Sequence, residues 1–462
     1  MEESDCIVAN HDLVMADLAL GGGAILPEPE NCIYICDEGH RLGDTAIRHF
    51  GAECRINSTL SWLERIPKQC KGQTTLFAKD KTLAEQLPKI ESEAENLCDL
   101  LAMAYPVMKD YIDRSEEFDS SFRFSHGDVG TTIRDIATQI VKHTSTWLGR
   151  LEVLEDTLSD ALSDKQYPVA IADIEVFYQQ AGSWLSGAER LMMLWDRLRK
   201  ETKIGEAPIA CWLKLDDLAD GNMDISINAS PIQAAEILKD RLWGNCYAAV
   251  LTSATLRSLG NFNALQRETG IPSSSLFLSV AGAFDYAKAA SLKVPSDAAE
   301  GNSVEQHTEY IIDNLSSLIE SNVGTLVLFS SKRQMEEVFD DLPKDLTKFV
   351  LIQGQYSNRE MIRLHKERID QGNTSVLLGL ASFAEGVDLP GDYCRHVVIA
   401  KLPFAVPNDP LQQALAEWIE VNGGNSFFDI SLPLASLRLI QAAGRLLRTE
   451  TDEGTVTILD KR

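Results

Sequence analysis

A glycine-rich phosphate cradle is missing from this sequence: no G-x-x-x-x-G-K-[ST] occurs in its 462 residues, so no segment reads as a self-contained strand, cradle and helix for a nucleotide. The nearest approximation, Lys71-Gly72-Gln73-Thr74-Thr75, has the wrong order and no strand before it, and Gly21-Gly22-Gly23 lacks the lysine and reads as a turn. The nine cysteines include no C-x-x-C pair, which argues against a clustered metal site, and their scatter fits a reducing compartment. No apolar run approaches the roughly 18 residues of a membrane span, and the acidic start Met1-Glu2-Glu3-Ser4-Asp5 is no secretory signal. A soluble cytoplasmic protein without a membrane partner is expected. Cations are scarce too: Lys and Arg total 43 against 69 Asp and Glu, for a net charge of −26. That balance sits awkwardly with a nucleic-acid partner, because affinity for DNA comes largely from cations that displace counterions along the phosphate backbone.

The length suggests roughly two to four domains, and a hydrophobic content of 44% is ample for their cores. Three short motifs stand far apart: Asp37-Glu38-Gly39-His40, Ser253-Ala254-Thr255, and Gln441-Ala442-Ala443-Gly444-Arg445-Leu446-Leu447-Arg448. An Asp-Glu pair at a strand end can hold Mg²⁺ and activate water, and two arginines one helical turn apart can reach the terminal phosphate of a nucleotide. Taken singly, each has an ordinary reading, a chance match in an acidic chain or a solvated helix with salt-bridged arginines. Their context favours chemistry. Residues 31–36 and 246–252 are apolar, β-branched runs that stop at Asp37 and at Ser253. Both motifs therefore fall at the carboxyl ends of expected buried strands, where ligands bind in open parallel α/β sheets. Together they point to a nucleoside triphosphate motor.

Further segments follow in a fixed order: Val8-Ala9-Asn10-His11 ahead of the acidic motif, Leu328-Phe329-Ser330-Ser331, residues 382–389 (Ser-Phe-Ala-Glu-Gly-Val-Asp-Leu), and Lys401-Leu402-Pro403-Phe404 with Pro407 and Asp409-Pro410. In this set and order the chain resembles the carboxyl-terminal two-thirds of a DinG-type helicase, a bacterial relative of the xeroderma group D helicases in superfamily 2. The resemblance runs from end to end and implies an α/β fold: two RecA-like parallel-sheet lobes, the first incomplete, with an inserted all-helical arch domain. ATP would lie between the lobes, and single-stranded DNA or a DNA junction would run across both, with translocation 5′ to 3′. Asp37 would position Mg²⁺ through water, Glu38 polarise the attacking water, and His40 link the nucleotide to the second lobe. Arg445 and Arg448 would stabilise charge on the transferred phosphoryl group, with Gln441 sensing it beside Gly444. Ser253 and Thr255 would couple hydrolysis to lobe movement, and Gly386 and Asp388 would relay it to DNA. Asn10, His11 and Phe404 match DNA-facing positions, although a helix cap is an equal reading for the first two and a loop core is open for Phe404.

The resemblance also sets out departures. In the family the cradle precedes the acidic motif by more residues than stand before Asp37 here, so the sequence is expected to begin downstream of it and to hydrolyse ATP poorly alone. The family's iron–sulfur cluster would use four cysteines in that same stretch, and its ligands are absent from this chain. Without the cradle strand, residues 247–251 would present an apolar, unpaired edge. A non-catalytic protein that keeps the fold and binds nucleic acid or a complex partner is the alternative.

Expected boundaries are 1–71 for the first part of lobe 1, 72–205 for the helical insert, 206–283 for the return to lobe 1 and 284–462 for lobe 2. Leu83, Leu87, Ile90, Ala94, Leu97, Leu101, Ala104 and Met108 recur at helical spacing, as do Ile133, Ala137, Ile140, Thr144, Trp147, Leu151, Leu154 and Leu158, and then Trp184, Ala188, Leu191, Trp195 and Leu198. Residues 210–215 and 223–227 read as a hairpin. Strands over 325–329, 349–352, 375–379, 396–400 and 456–459 alternate with helices near 332–341 and 359–371. Arg359, Arg363, His365, Lys366 and Arg368 form a basic run that reads equally as a DNA-facing patch or a solvated helix face, and Trp418 reads as core.

Overall fold

The computed structural model describes residues 4–115, 120–202, 205–218, 221–282, 284–298, 303–380, 383, 387–405 and 409–461. The chain opens with helix α1 (His11–Ala19), whose N-cap Asn10 accepts the Leu13 N–H. A turn through Gly21, Gly22 and Gly23 follows, all three at positive φ, where an L side chain would be strained. The buried carboxylate of Asp17 gathers the Gly23, Ile25 and Leu26 N–H groups and holds this turn against α1. Strand β1 (Ile33–Asp37) then leads into α2 (Leu42–His49), and β2 (Ala52–Arg55) leaves for the insert.

The insert is dominated by α3 (Lys81–Asp113), α4 (Gly130–Ser163) and α5 (Ile171–Arg199). Their stripes of apolar residues face one another, and every residue of the three expected stripes is buried. Trp62 meets Trp147 edge to face, and Phe177 meets Trp184 the same way. Between α3 and α4 lies a short strand, β3 (Ser121–Phe124), which the sequence periodicity does not announce. The hairpin β4 (Ile209–Asp217) and β5 (Met223–Pro231) joins it, giving an antiparallel sheet in the order β2-β5-β4-β3 that closes one end of the helices.

After the hairpin the chain returns as β6 (Ala248–Thr252), which pairs parallel with β1 so that Asp37 lies level with Thr252. Helix α6 (Asn263–Thr269) follows. The remaining strands, β7 (Ala290–Lys293), β8 (Gly324–Phe329), β9 (Val350–Ile352), β10 (Ser375–Leu380), β11 (His396–Ile399) and β12 (Gly454–Ile458), form a parallel sheet in the order β7-β12-β11-β8-β10-β9. Helices α7 (Lys332–Asp341), α8 (Asn358–Asp370), α9 (Pro410–Val421) and α10 (Leu432–Ala443) belong to this half. Strand β7 is the one member that the sequence reading passes over, as a crossing segment.

Candidate active site between the two parallel sheets

Register brings the first two motifs together. With Asp37 opposite Thr252, the backbone turns after β1 and β6 run side by side, and Gly39 packs so closely on Leu251 that an added Cβ would sit 3.0 Å from the Leu251 Cβ. A residue with a Cβ at position 39 would need Leu251 to give by a few tenths of an ångström. Glu38 stands in the left-handed region, at φ 50° and ψ 43°, a conformation that costs a non-glycine residue of order 1–3 kcal/mol and clusters at functional sites. Its side chain is 61% exposed. The Asp37 carboxylate accepts the Glu38 N–H at 3.0 Å.

A polar network runs from this turn into the other half of the molecule. The Ser253 hydroxyl donates to Glu38 Oε2 at 3.1 Å, and His40 Nδ1 lies 2.8 Å from Ser253 Oγ and 3.2 Å from Glu38 Oε2. On its other side His40 Nε2 meets Gln441 Nε2 at 3.1 Å, and the same amide donates to Thr255 Oγ1 at 3.2 Å. One proton assignment satisfies all of these contacts: the Gln441 amide donates to an unprotonated His40 Nε2, so the ring proton sits on Nδ1, facing Ser253 and Glu38. Residues 401 positions apart in sequence thus share one ring.

The arginines of the third motif are placed differently from the sequence expectation. They do not lie one turn apart on a helix, because α10 ends at Ala443 and is capped at Gly444. Arg445 follows in a turn, its N–H on the Ala442 carbonyl. Beyond it the Asp452 carboxylate takes the Arg448 and Thr449 N–H groups and draws the chain away from the helical path. The Arg448 guanidinium donates to the Val387 carbonyl at 3.0 Å and lies 3.5 Å from Asp388. Gly386 lies outside the described residues.

The remaining candidates take the following places. Asn10 uses its side-chain oxygen as the α1 cap, and His11 is the first residue of that helix. Four members of the basic run on α8 are turned inward or paired: His365 is buried between Ser375 and the Tyr393 carbonyl, and burial pushes its pKa down to about 4. Arg363 pairs with Glu360 and Glu367, Lys366 lies over the Tyr393 ring, and Arg368 donates to the Phe349 carbonyl. Arg359, near the start of α8, is exposed. Trp418 packs against the small cluster of Ala210, Ile232 and Ala414. Burial raises the Cys36 thiol to about 11 and those of Cys54, Cys70, Cys211 and Cys394 to about 12, away from the thiolate form that a metal needs. Among the described residues no three His, Cys, Asp or Glu side chains are grouped to hold a metal, so this donor set does not fit an iron–sulfur cluster. One exposed Asp37 carboxylate at a strand end does fit a Mg²⁺ ion held through water.

Three further contacts tie the halves together, and none has a local sequence signal. Arg123 on β3 grips the α9 carboxylate of Glu417 with both terminal nitrogens, at 2.8 and 2.5 Å, while its Nε donates to Gln413 at 2.8 Å. The buried Ser258 hydroxyl donates to the Pro433 carbonyl at the start of α10. Arg267 on α6 reaches Asp429 at 3.2 Å. Only the folded chain brings these partners into range.

Residues 314–462 match the helicase C-terminal domain family. The ATP-dependent DNA helicase DinG of Photobacterium profundum is 35% identical over 468 residues, covering 100% of this chain and 66% of its own length. The protein of the same name from Escherichia coli K12 is 31% identical over 480 residues, covering 100% and 64%. This chain belongs to the DinG helicase family. It spans about two-thirds of the length of these curated relatives. Among solved structures, that of Xpd4 from S. tokodaii superposes with a TM-score of 0.52 at 14% identity, covering 93% of this chain and 72% of that one; the likeness is one of fold, and it is shared by a DinG family member with parallel α/β sheets and a helical insert.

Proposed function

We propose that this chain carries the two-lobe engine of an ATP-dependent DNA helicase of DinG type, moving 5′ to 3′ along single-stranded DNA and acting at DNA junctions. The observation that supports this most is the Glu38–Ser253–His40–Gln441–Thr255 network, which ties the end of one parallel sheet to the helix that precedes Arg445. In this reading lobe 1 comprises 1–71 and 206–283, the arch 72–205 and lobe 2 284–462. Glu38, held in its left-handed turn with its carboxylate exposed, takes a proton from the attacking water. His40 and Ser253 keep that carboxylate oriented. Asp37 would hold Mg²⁺ through water, and the ion would supply neutralisation of phosphate charge there. Arg445 and Arg448 face the charge that develops on the transferred phosphoryl group, a role worth about 10³ to 10⁵ in rate in other NTPases. Gln441, beside Gly444 at the nucleotide, reports the state of the site to His40 and Thr255, and Asp388, tied to Arg448, carries it with Gly386 toward DNA at Asn10, His11 and Phe404.

No phosphate cradle is encoded in this sequence, and each charge-assisted hydrogen bond such a cradle supplies is worth about 1.5–3 kcal/mol. The chain alone is therefore expected to bind ATP orders of magnitude more weakly than a complete motor. The test joins it to the cradle-bearing segment of a DinG relative: DNA-stimulated ATP hydrolysis should appear, and Glu38→Gln should abolish turnover while leaving nucleotide affinity intact. Full turnover by Glu38→Gln contradicts the assignment. The missing cradle also favours a second reading, a non-catalytic nucleic-acid-binding or complex-forming protein with a helicase fold; a joined protein that binds single-stranded DNA and hydrolyses nothing would decide for it.

A further inference from the structure

At the amino end of α10, opposite the end that carries Gln441, lies a group of phenyl rings with no part in the network above. Phe404 sits in a tight turn after β11, its N–H on the Leu402 carbonyl at 2.8 Å. Phe427 and Phe428 open the π-helical turn Phe427–Ser431 that feeds α10. The rings of Phe404 and Phe427 stack with centroids 5.8 Å apart and planes at 26°, and Phe428 meets Phe427 edge to face at 5.3 Å. Phe427 is 48% and Phe428 64% exposed, although burying such rings is strongly favourable.

The rings are held in place rather than loosely attached. The Phe428 N–H donates to Asn425 Oδ1, the Asn425 N–H donates to Asp429 Oδ2, and Arg267 of the other half fixes Asp429. Single π-helical turns at a helix are frequent at functional sites. Flat rings suit bases, because stacking tolerates any sequence. The net charge of −26 opposes binding through phosphates, so any affinity of this surface for a nucleic acid would come from stacking. Arg438 donates to the Pro403 carbonyl beside Phe404.

We propose that Phe404, Phe427 and Phe428 form a stacking platform for the bases of a single strand, giving sequence-tolerant affinity with a shallow salt dependence. This inference rests on the nucleic-acid reading above and names two residues, Phe427 and Phe428, that the sequence motifs did not single out. Because α10 joins the platform to Gln441, a strand held there would be coupled to His40 and Thr255.

The test is fluorescence anisotropy of a labelled oligodeoxythymidylate against the full chain and its Phe428→Ala, Phe428→Leu and Phe428→Trp variants, with circular dichroism to verify folding. Alanine and leucine should weaken binding about tenfold, equivalent to about 1.4 kcal/mol, tryptophan should retain it, and an abasic strand should bind all four proteins equally weakly. Leucine binding as tightly as phenylalanine, or abasic and thymidine strands binding alike, would overturn the platform. So would a loss of self-association in Phe428→Ala with oligonucleotide affinity unchanged, since the rings would then belong to a second copy. Binding that ignores the rings defeats this inference alone; no binding by the unaltered chain defeats the nucleic-acid reading with it.

Discussion

The two parallel sheets have similar strand sequences and opposite surroundings. In the six-stranded sheet β8, β9 and β11 are buried at every position, with helices on both faces. In the two-stranded sheet only Cys36 of β1 is buried; Ile35 is 72% exposed, Ile33 60% and Val250 50%, with Tyr247 just ahead of β6 at 75%. One face rests on Met15, Leu18, Leu42, Leu238 and Leu242, and among the described strands β6 has a partner on its β1 side alone. Parallel strands of this composition are normally covered on both faces. The difference teaches that the acidic motif and Ser253 stand on the less supported sheet, and that its cross-links to the other half, through His40, Ser258 and Arg267, do part of the positioning that burial does elsewhere.

The sharpest way to break this comparison is to cut the same kind of side chain from each sheet. Leu326→Ala, in the fully buried β8, should cost about 2–5 kcal/mol in urea unfolding, whereas Ile35→Ala should cost under about 0.5 kcal/mol. Equal losses would mean that something covers β1 in solution. Next in size is Arg123→Ala, which leaves the partly buried Glu417 carboxylate without its guanidinium; a loss of about 1–3 kcal/mol is expected, and a double-mutant cycle with Glu417→Gln should show strong coupling. Val250→Lys should then reduce concentration-dependent association, read by light scattering, with little change in unfolding. An unchanged particle size with lysine would show that this edge is not sticky.

The smallest effect concerns pH. Burial beside Gly43, together with the Asp44 carboxylate and opposed by Arg267, raises the Glu268 carboxyl from its usual 4.5 to about 8. The folded form then holds a proton that the unfolded chain releases, so this contribution is fully present below about pH 4.5 and is lost as pH rises toward about 8. Glu268→Gln should flatten that slope in thermal unfolding; an unchanged slope assigns it to other groups.

Much of this architecture was legible in the sequence because it is written in local periodicity. The stripes from Leu83 to Met108 and from Ile133 to Leu158 fixed the insert helices, and the alternation of apolar runs with amphipathic segments placed β8, α7, β9, α8 and β10 almost residue by residue. What stayed hidden depends on long-range pairing. Strands β3 and β7 are short and borrow their partners, Arg123 has no local cue for Glu417, and Phe427 and Phe428 look like ordinary core residues until their exposure is known. The motif at Gln441 marks the helix end that meets His40, yet Asp452, eleven residues on, decides how Arg448 leaves the helix.

The central claim is that the His40–Gln441 contact joins the halves that carry the two parallel sheets. A double-mutant cycle of His40→Ala and Gln441→Ala, read as unfolding free energy in urea, tests it most directly. The account predicts a coupling of at least about 0.5 kcal/mol, with either single change loosening hydrogen-exchange protection in both halves. Strict additivity, with each change felt only in its own half, would contradict it.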